Sequence, residues 1–235
     1  MEEIHIQSFV RAPRERVWEQ LLGRPDVVLD ALPVRAWPEG RKEERPSRLR
    51  MAWPFGAGGA QTELEIALEP WPEGGGTCVD LRHEGWESGP ADQNVLAGHF
   101  AGWLQALAAL GLLVESGTDP RPSASLAQRE RYYASGEIPA DADAVFRALT
   151  DPGVLARWSE GALGGTELVE AVEGRYARWS LVAPAAGAAG GGEVVVILRP
   201  TPRGTHCAVA EYGVMGRASS GRWPGMLERL AQFLR

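Results

Sequence analysis

The chain has 235 residues, enough for one large domain or for two of about a hundred residues each. Its 24 Lys and Arg against 31 Asp and Glu give a net charge of -7, and no stretch concentrates the basic residues. That balance excludes a general nucleic-acid surface, which needs clustered cations to track phosphates.

The opening MEEIHIQSFV has no apolar core of the kind a secretory signal needs, so a cytoplasmic location is expected. Alternation from Ile4 to Val10 predicts a strand. PRERVWEQLLG follows, with Val17, Trp18, Leu21 and Leu22 at helical spacing and Gly23 and Pro25 as its stop. A short helical turn is expected over 26–32. Arg41 to Arg45 is a basic run interrupted by its own acids and is expected as a solvated turn. Three alternating segments then place Leu49, Met51 and Trp53, then Leu64, Ile66 and Leu68, then Val79, Leu81 and His83 on one face. The opposite positions are mostly charged, which suits an antiparallel sheet with one dry and one wet face. Residues 93–114 carry Leu96, His99, Phe100, Trp103, Leu107, Leu110 and Val114 along one stripe of an amphipathic helix. The longest apolar run, Leu104 to Val114, is shorter than a bilayer crossing, so no membrane insertion is expected. Cys78 and Cys207 give no disulfide framework and are expected as small buried thiols.

The second half repeats the first. VRAPRERVWEQLL at 10–22 aligns with IPADADAVFRALT at 138–150, and the closing segments align Trp103 with Trp223. TELEIALEPWPEGGGTCVDL at 62–81 follows the plan of GEVVVILRPTPRGTHCAVA at 192–210. Matching Cys78 to Cys207 puts Ala208 and Ala210 in the places of Val79 and Leu81, and Tyr212 in that of His83. The Ser-, Pro- and Gly-rich stretch 115–129 is expected as a linker between domains 1–114 and 130–235. WPFGAGGA at 53–60 and APAAGAAGGG at 183–192 are expected as the same hairpin connection in the two copies. The fold class expected is α+β, two tandem domains, each a curved antiparallel sheet wrapped on its C-terminal helix.

Ala12, Pro13, Val17 and Trp18 near the start, Gly75, Gly76, Thr77, Leu81, His83 and Gly85 in the third alternating segment, and His99, Gly102 and Trp103 at the closing helix form a pattern. It resembles the START-like helix-grip superfamily, and within it the branch named after the activator of the ninety-kilodalton heat-shock ATPase. The resemblance implies a groove between sheet and helix. Family domains usually carry more strands, whereas each copy here has room for roughly five.

Four readings compete for the histidines and tryptophans. A metal site needs three or four converging ligands, and His83, Glu84 and His99 fall short because Glu84 points away from His83. A nucleophilic triad lacks its nucleophile, since Cys78 lies on the face opposite His83. Acid-base work in the groove, as the wider superfamily implies, stays open for a histidine in an apolar surround. In the structural reading His83 and His99 face the groove and satisfy each other or the backbone, with Trp103 and Trp223 as core anchors. Trp53 and Trp179 divide between core and pocket, and Trp158 plugs a sheet edge. In the second copy Ala208, Ala210, Tyr212 and Trp179 are expected to frame a small pocket unless Met226 and Phe233 fill it. The function expected is binding of a small apolar or amphipathic ligand at Trp53, His83, His99, Trp103, Trp179, Ala208, Ala210 and Tyr212. The alternatives are a co-chaperone or other protein-interaction module, and a cyclase-like or aldol-type enzyme. No cofactor and no catalytic residue are assigned.

Overall fold

The computed structural model describes residues 2–32, 34, 36–55, 60–72, 74–86, 90–122, 131–160, 163, 166–181, 191–213 and 222–235. The chain divides into two compact units, Met1–Asp119 and Pro120–Arg235. The first runs β1 (Glu2–Val10), α1 (Arg14–Gly23), α2 (Pro25–Val28), β2 (Lys42–Glu44), β3 (Arg48–Phe55), β4 (Ala60–Pro70), β5 (Thr77–Trp86) and α3 (Pro90–Ser116). The second runs β6 (Arg131–Ile138), α4 (Ala142–Thr150), α5 (Pro152–Ser159), β7 (Thr166–Val172), β8 (Tyr176–Leu181), β9 (Gly192–Thr201), β10 (Gly204–Tyr212) and α6 (Arg222–Phe233). Each unit holds one five-stranded sheet, ordered β1-β5-β4-β3-β2 in the first and β6-β10-β9-β8-β7 in the second, with all neighbours antiparallel. The two orders are the same path traced twice. This is the α+β, doubly repeated helix-grip arrangement.

Burial of one sheet face and one helix stripe explains the first unit. Leu49, Met51 and Trp53 of β3, Leu64, Ile66 and Leu68 of β4, and Val79 and Leu81 of β5 form one core with Trp103, Leu107, Leu110 and Val114 of α3. Each fully buried aliphatic side chain contributes about 1.5–3 kcal/mol, so burial at this interface is a large stabilising contribution. The reverse face is wet, with Arg50, Glu63 and Arg82 exposed. Val95–Ser116 of α3 is long and apolar enough, by length and composition alone, to cross a bilayer, and most of it is buried inside the fold. The Leu104–Val114 run is thus the middle of a 27-residue helix.

Three features depart from the sequence reading. Lys42–Glu44, expected as a turn, is an edge strand paired with β3, its side chains largely in solvent. Glu115 and Ser116, placed in the linker, close α3, where the Glu115 carboxylate accepts from the Arg11 backbone N–H at 2.7 Å. Residues 123–129 of that linker lie outside the described residues, as do 56–59 and 183–190 of the two hairpin connections. The second sheet is dry on both faces across β9 and β10. Val195, Ile197, Ala208 and Ala210 are as buried as Val194, Val196, Cys207 and Val209. The unbroken apolar run VVVIL is the signature of a strand covered twice.

The two copies share a lock between the third alternating segment and the first strand. Thr77 Oγ1 donates to Ala12 O at 2.7 Å, and Thr205 Oγ1 donates to Ala140 O at 2.8 Å. The residue before each threonine is a glycine because the first strand's end passes too close for a side chain. A Cβ at Gly76 would sit 2.5 Å from Val10 O, and one at Gly204 would meet Ile138 O more closely still, at a φ of 139°. Gly204→Ala is therefore expected to destabilise the second unit by about 2 kcal/mol or more, seen as a lower denaturation midpoint in urea. An unchanged midpoint would show that this approach can relax without cost.

Candidate functional site

The groove of the first unit changes character along its length. Ile66, Leu68, Leu81, Leu107, Leu110 and Val114 make one end aliphatic. Toward the start of α3, rings take over: Trp37 from the α2–β2 connection, Trp53 of β3, His83 and Trp86 of β5, and His99 and Trp103 of α3. Their centroids form a continuous cluster. Trp53 lies 5.0 Å from Trp103 and 6.4 Å from Trp37, His83 lies 4.5 Å from Trp86, and Trp86 lies 4.9 Å from His99.

A local irregularity brings Trp86 to this cluster. Ile4 pairs with His83 but Glu2 pairs with Trp86, so β5 carries one residue more than β1 over that step. Gly85, at φ 91°, absorbs the extra residue. Strict alternation would send Trp86 to the face opposite His83, and the bulge returns it to the same one.

His83 is the hub. Trp103 Nε1 donates to its Nδ1 at 3.0 Å, and its Nε2 meets Thr62 Oγ1 at 2.6 Å. An indole N–H can only donate, so Nδ1 is the acceptor and the imidazole proton sits on Nε2, directed at Thr62. Both ring nitrogens are committed and the side chain is fully buried. Burial, with His99 as the smaller cause, pushes the His83 pKa down to about 3. This imidazole is neutral at physiological pH. His99 is tied differently: its Nδ1 lies 3.0 Å from Val95 O, a carbonyl that can only accept, so Nδ1 carries the proton. Burial lowers its pKa as well. The histidines touch edge to face, at 5.9 Å between centroids, and each takes its hydrogen bonds from other residues.

The second unit repeats the clamp with different chemistry. Trp223 Nε1 donates to Glu211 Oε2 at 2.6 Å, and the Arg222 guanidinium donates to Glu211 Oε1 at 2.8 Å. The Glu211 side chain is only 1 % exposed, so a buried carboxylate, neutralised by Arg222, stands where the first unit has an imidazole. The equivalence follows from register. Thr77 and Thr205 make the same lock, so Val79, Leu81 and His83 correspond to Cys207, Val209 and Glu211.

This corrects the expected pocket of the second copy. Ala208, Ala210 and Tyr212 lie on the face turned away from α6. They pair with Ile197, Val195 and Glu193, while Cys207 and Val209 join the core with Trp179 and Trp223. Aligning the cysteines shifted the strand by one residue, and a shift of one exchanges the faces. Tyr212 packs instead against Tyr133, edge to face at 6.4 Å. Trp179 is in the core, two positions before the counterpart of Trp53, since Trp179 pairs with Val194 and Leu181 with Gly192. Met226 is fully buried in that core, whereas Phe233 is exposed beneath the Arg157 guanidinium. Trp158 is also a core residue, donating to Ala148 O at 2.7 Å. Cys207 is buried, and Cys78 only half-buried.

The structure thus gathers Trp53, His83, His99 and Trp103 in one place and leaves Trp179, Ala208, Ala210 and Tyr212 out of it. Trp37, Thr62, Trp86, Glu211 and Arg222 escaped the sequence reading. The Gly-Thr pair repeated at 76–77 and 204–205 held the signal for Glu211. Among the described residues no three His, Cys, Asp or Glu side chains are poised to hold a metal ion.

No protein-family model matches the chain, and no curated protein aligns with it. Several solved structures are similar to it at low identity. DynU16, from the dynemicin biosynthetic locus, is 16% identical over 100% of this chain and 96% of its own, with a TM-score of 0.44. StfQ, a di-domain ARO/CYC from the steffimycin biosynthetic pathway, is 12% identical over 98% of this chain and 97% of its own, with a TM-score of 0.35. The Aha1 dimer from Colwellia psychrerythraea is 16% identical over 45% of this chain and 96% of its own, with a TM-score of 0.38.

The two clamps predict different responses. His83 is protonated in the unfolded chain below about pH 6.5 but resists protonation in the fold down to about 3, so stability falls with pH through that window. Between about pH 6.5 and 5 the loss from this group is about 2 kcal/mol, and His99 adds in the same direction. Urea denaturation of His83→Gln should show a lower stability at pH 7.5 and a flatter decline on acidification. An equally steep decline would mean that His83 is not the group that titrates. In the second unit, Glu211→Gln keeps an acceptor for Trp223 but strips Arg222 of its counter-ion. The expected cost is about 1–2 kcal/mol in the second unit's denaturation midpoint.

Proposed function

We propose that the first unit binds a small, predominantly apolar molecule at the aromatic end of its groove. The observation that carries this reading is the junction of that ring cluster with an exposed apolar rim. Val95 and Phe100 of α3 are 37% and 42% exposed and Leu96 is half-buried, one to two turns before the buried Trp103. An interface designed only to seal a core would turn aliphatic side chains inward along its whole length. Here the stripe surfaces where the rings begin, which suits a mouth through which a ligand reaches stacking partners. The committed nitrogens of His83 favour a binding role over acid-base catalysis at neutral pH. The residues that resemble the heat-shock ATPase activator branch, His83, Gly85, His99 and Trp103, are on this view builders of a binding groove.

A protein partner is the second reading. It is favoured by Leu168 and Val169, 42% and 52% exposed on the edge strand β7.

Native mass spectrometry of protein purified from its source, together with titration of the uncharged fluorophore N-phenyl-1-naphthylamine, tests the ligand reading. Saturable binding with energy transfer from tryptophan is expected, and Leu96→Asp should weaken it at least about ten-fold while the fold persists. No co-purifying molecule and no saturable binding would overturn it.

A further inference from the structure

The buried indoles of the first unit are not all satisfied. Trp37 Nε1 donates to Leu21 O at 2.9 Å, Trp86 Nε1 to His83 O at 2.9 Å, and Trp103 Nε1 to His83 Nδ1 at 3.0 Å. Trp53, which stands between Trp37, His83 and Trp103, is wholly buried, and its Nε1 has no acceptor among the described residues. Trp18 of α1 shares that condition, but its ring is not part of the cluster contacts around His83. A buried donor left unpaired costs about 1–3 kcal/mol, and native cores keep few of them without a reason.

Two acceptors of the ring cluster beside Trp53 are already engaged. His83 Nδ1 receives Trp103, and Thr62 Oγ1 lies 2.6 Å from His83 Nε2 and 3.4 Å from Trp53 O. Among the described residues no lysine, arginine, aspartate or glutamate belongs to the ring cluster, whose polar members are the two neutral imidazoles and the Thr62 hydroxyl. An ionised ligand would enter that surround without a counter-charge, at a heavy desolvation cost. A ring flanked by stacking partners, carrying one acceptor oxygen and no charge, meets both conditions.

Resting on the groove-binding reading above, we infer that Trp53 is the recognition residue of the first unit. Its indole N–H donates to the carbonyl or ether oxygen of an uncharged cyclic ligand held against Trp103 and Trp37. The carbonyl replaces the missing acceptor, so selectivity between two ligands of one shape follows from the oxygen alone.

The pair 1-indanone and indane, which share a bicyclic frame and differ in the ketone, tests this. Tryptophan fluorescence titration of the full chain should give indanone about ten-fold tighter binding than its aqueous partitioning relative to indane accounts for. Trp53→Phe should abolish that preference while still binding both. As a measurement independent of any variant, the Trp53 indole N–H resonance should move downfield with indanone and not with indane. Binding of both probes by the wild-type chain with no preference and no such shift would overturn the role of Trp53 and leave the groove reading standing. Binding of neither would overturn the groove reading and this inference with it.

Discussion

A tryptophan on the closing helix, handing its N–H to an acceptor on the strand beneath, fixes how helix and sheet sit on one another in each unit. Helix and sheet could slide along an aliphatic seam at little cost, because dispersion contacts have no preferred partner. One directional bond in a dry interior removes that freedom, since breaking it strands a donor and an acceptor at once. Trp103 on His83 and Trp223 on Glu211 occupy the same place in the two copies. Around this bond the first unit arranges Thr62, Trp53, Trp86 and His99, and the polar content of the groove is set by which residue receives the indole.

That recipient decides what each interior tolerates. A neutral imidazole needs only a second hydrogen bond, which Thr62 provides, and the surrounding rings can then close in with no ion nearby. A carboxylate in the same place demands a cation. Arg222 supplies it from the first position of α6, lying partly over the Trp223 ring at 5.7 Å. The price of the ionic clamp is a guanidinium that must stay within reach, so the second groove keeps an arginine where the first has Gly102, crowded by Leu32 and Ala31.

Much of this was legible in the sequence, because period and repetition are robust signals. Alternation at Leu64, Ile66 and Leu68 and the stripe through Trp103, Leu107 and Leu110 mark the core of the first unit in the sequence itself. What failed was register, and for a definite reason. The connection Pro70–Thr77 is two residues longer than Pro200–Thr205, and matching Cys78 to Cys207 absorbed only one of them. A strand forgives no odd shift, so Ala208, Ala210 and Tyr212 went to the wrong face and Glu211 went unnoticed. Trp86 was missed because a bulge at Gly85 reverses alternation, and bulges leave little trace beyond the glycine itself. That the Trp53 N–H lacks an acceptor among the described residues is a property of three-dimensional accounting, invisible to any pattern of apolar residues.

The interchange of histidine and glutamate under a helical indole also bears on how such a pair of copies can drift apart. The two codon families differ at two bases, and one of the shortest routes between them passes through glutamine. A glutamine side chain offers an uncharged oxygen at nearly the same reach, so the indole would keep a recipient throughout and no intermediate would require the arginine. The cation could then arrive after the carboxylate's neutral forerunner rather than in the same step, which makes the divergence of Glu211 and Arg222 a sequence of tolerable single changes.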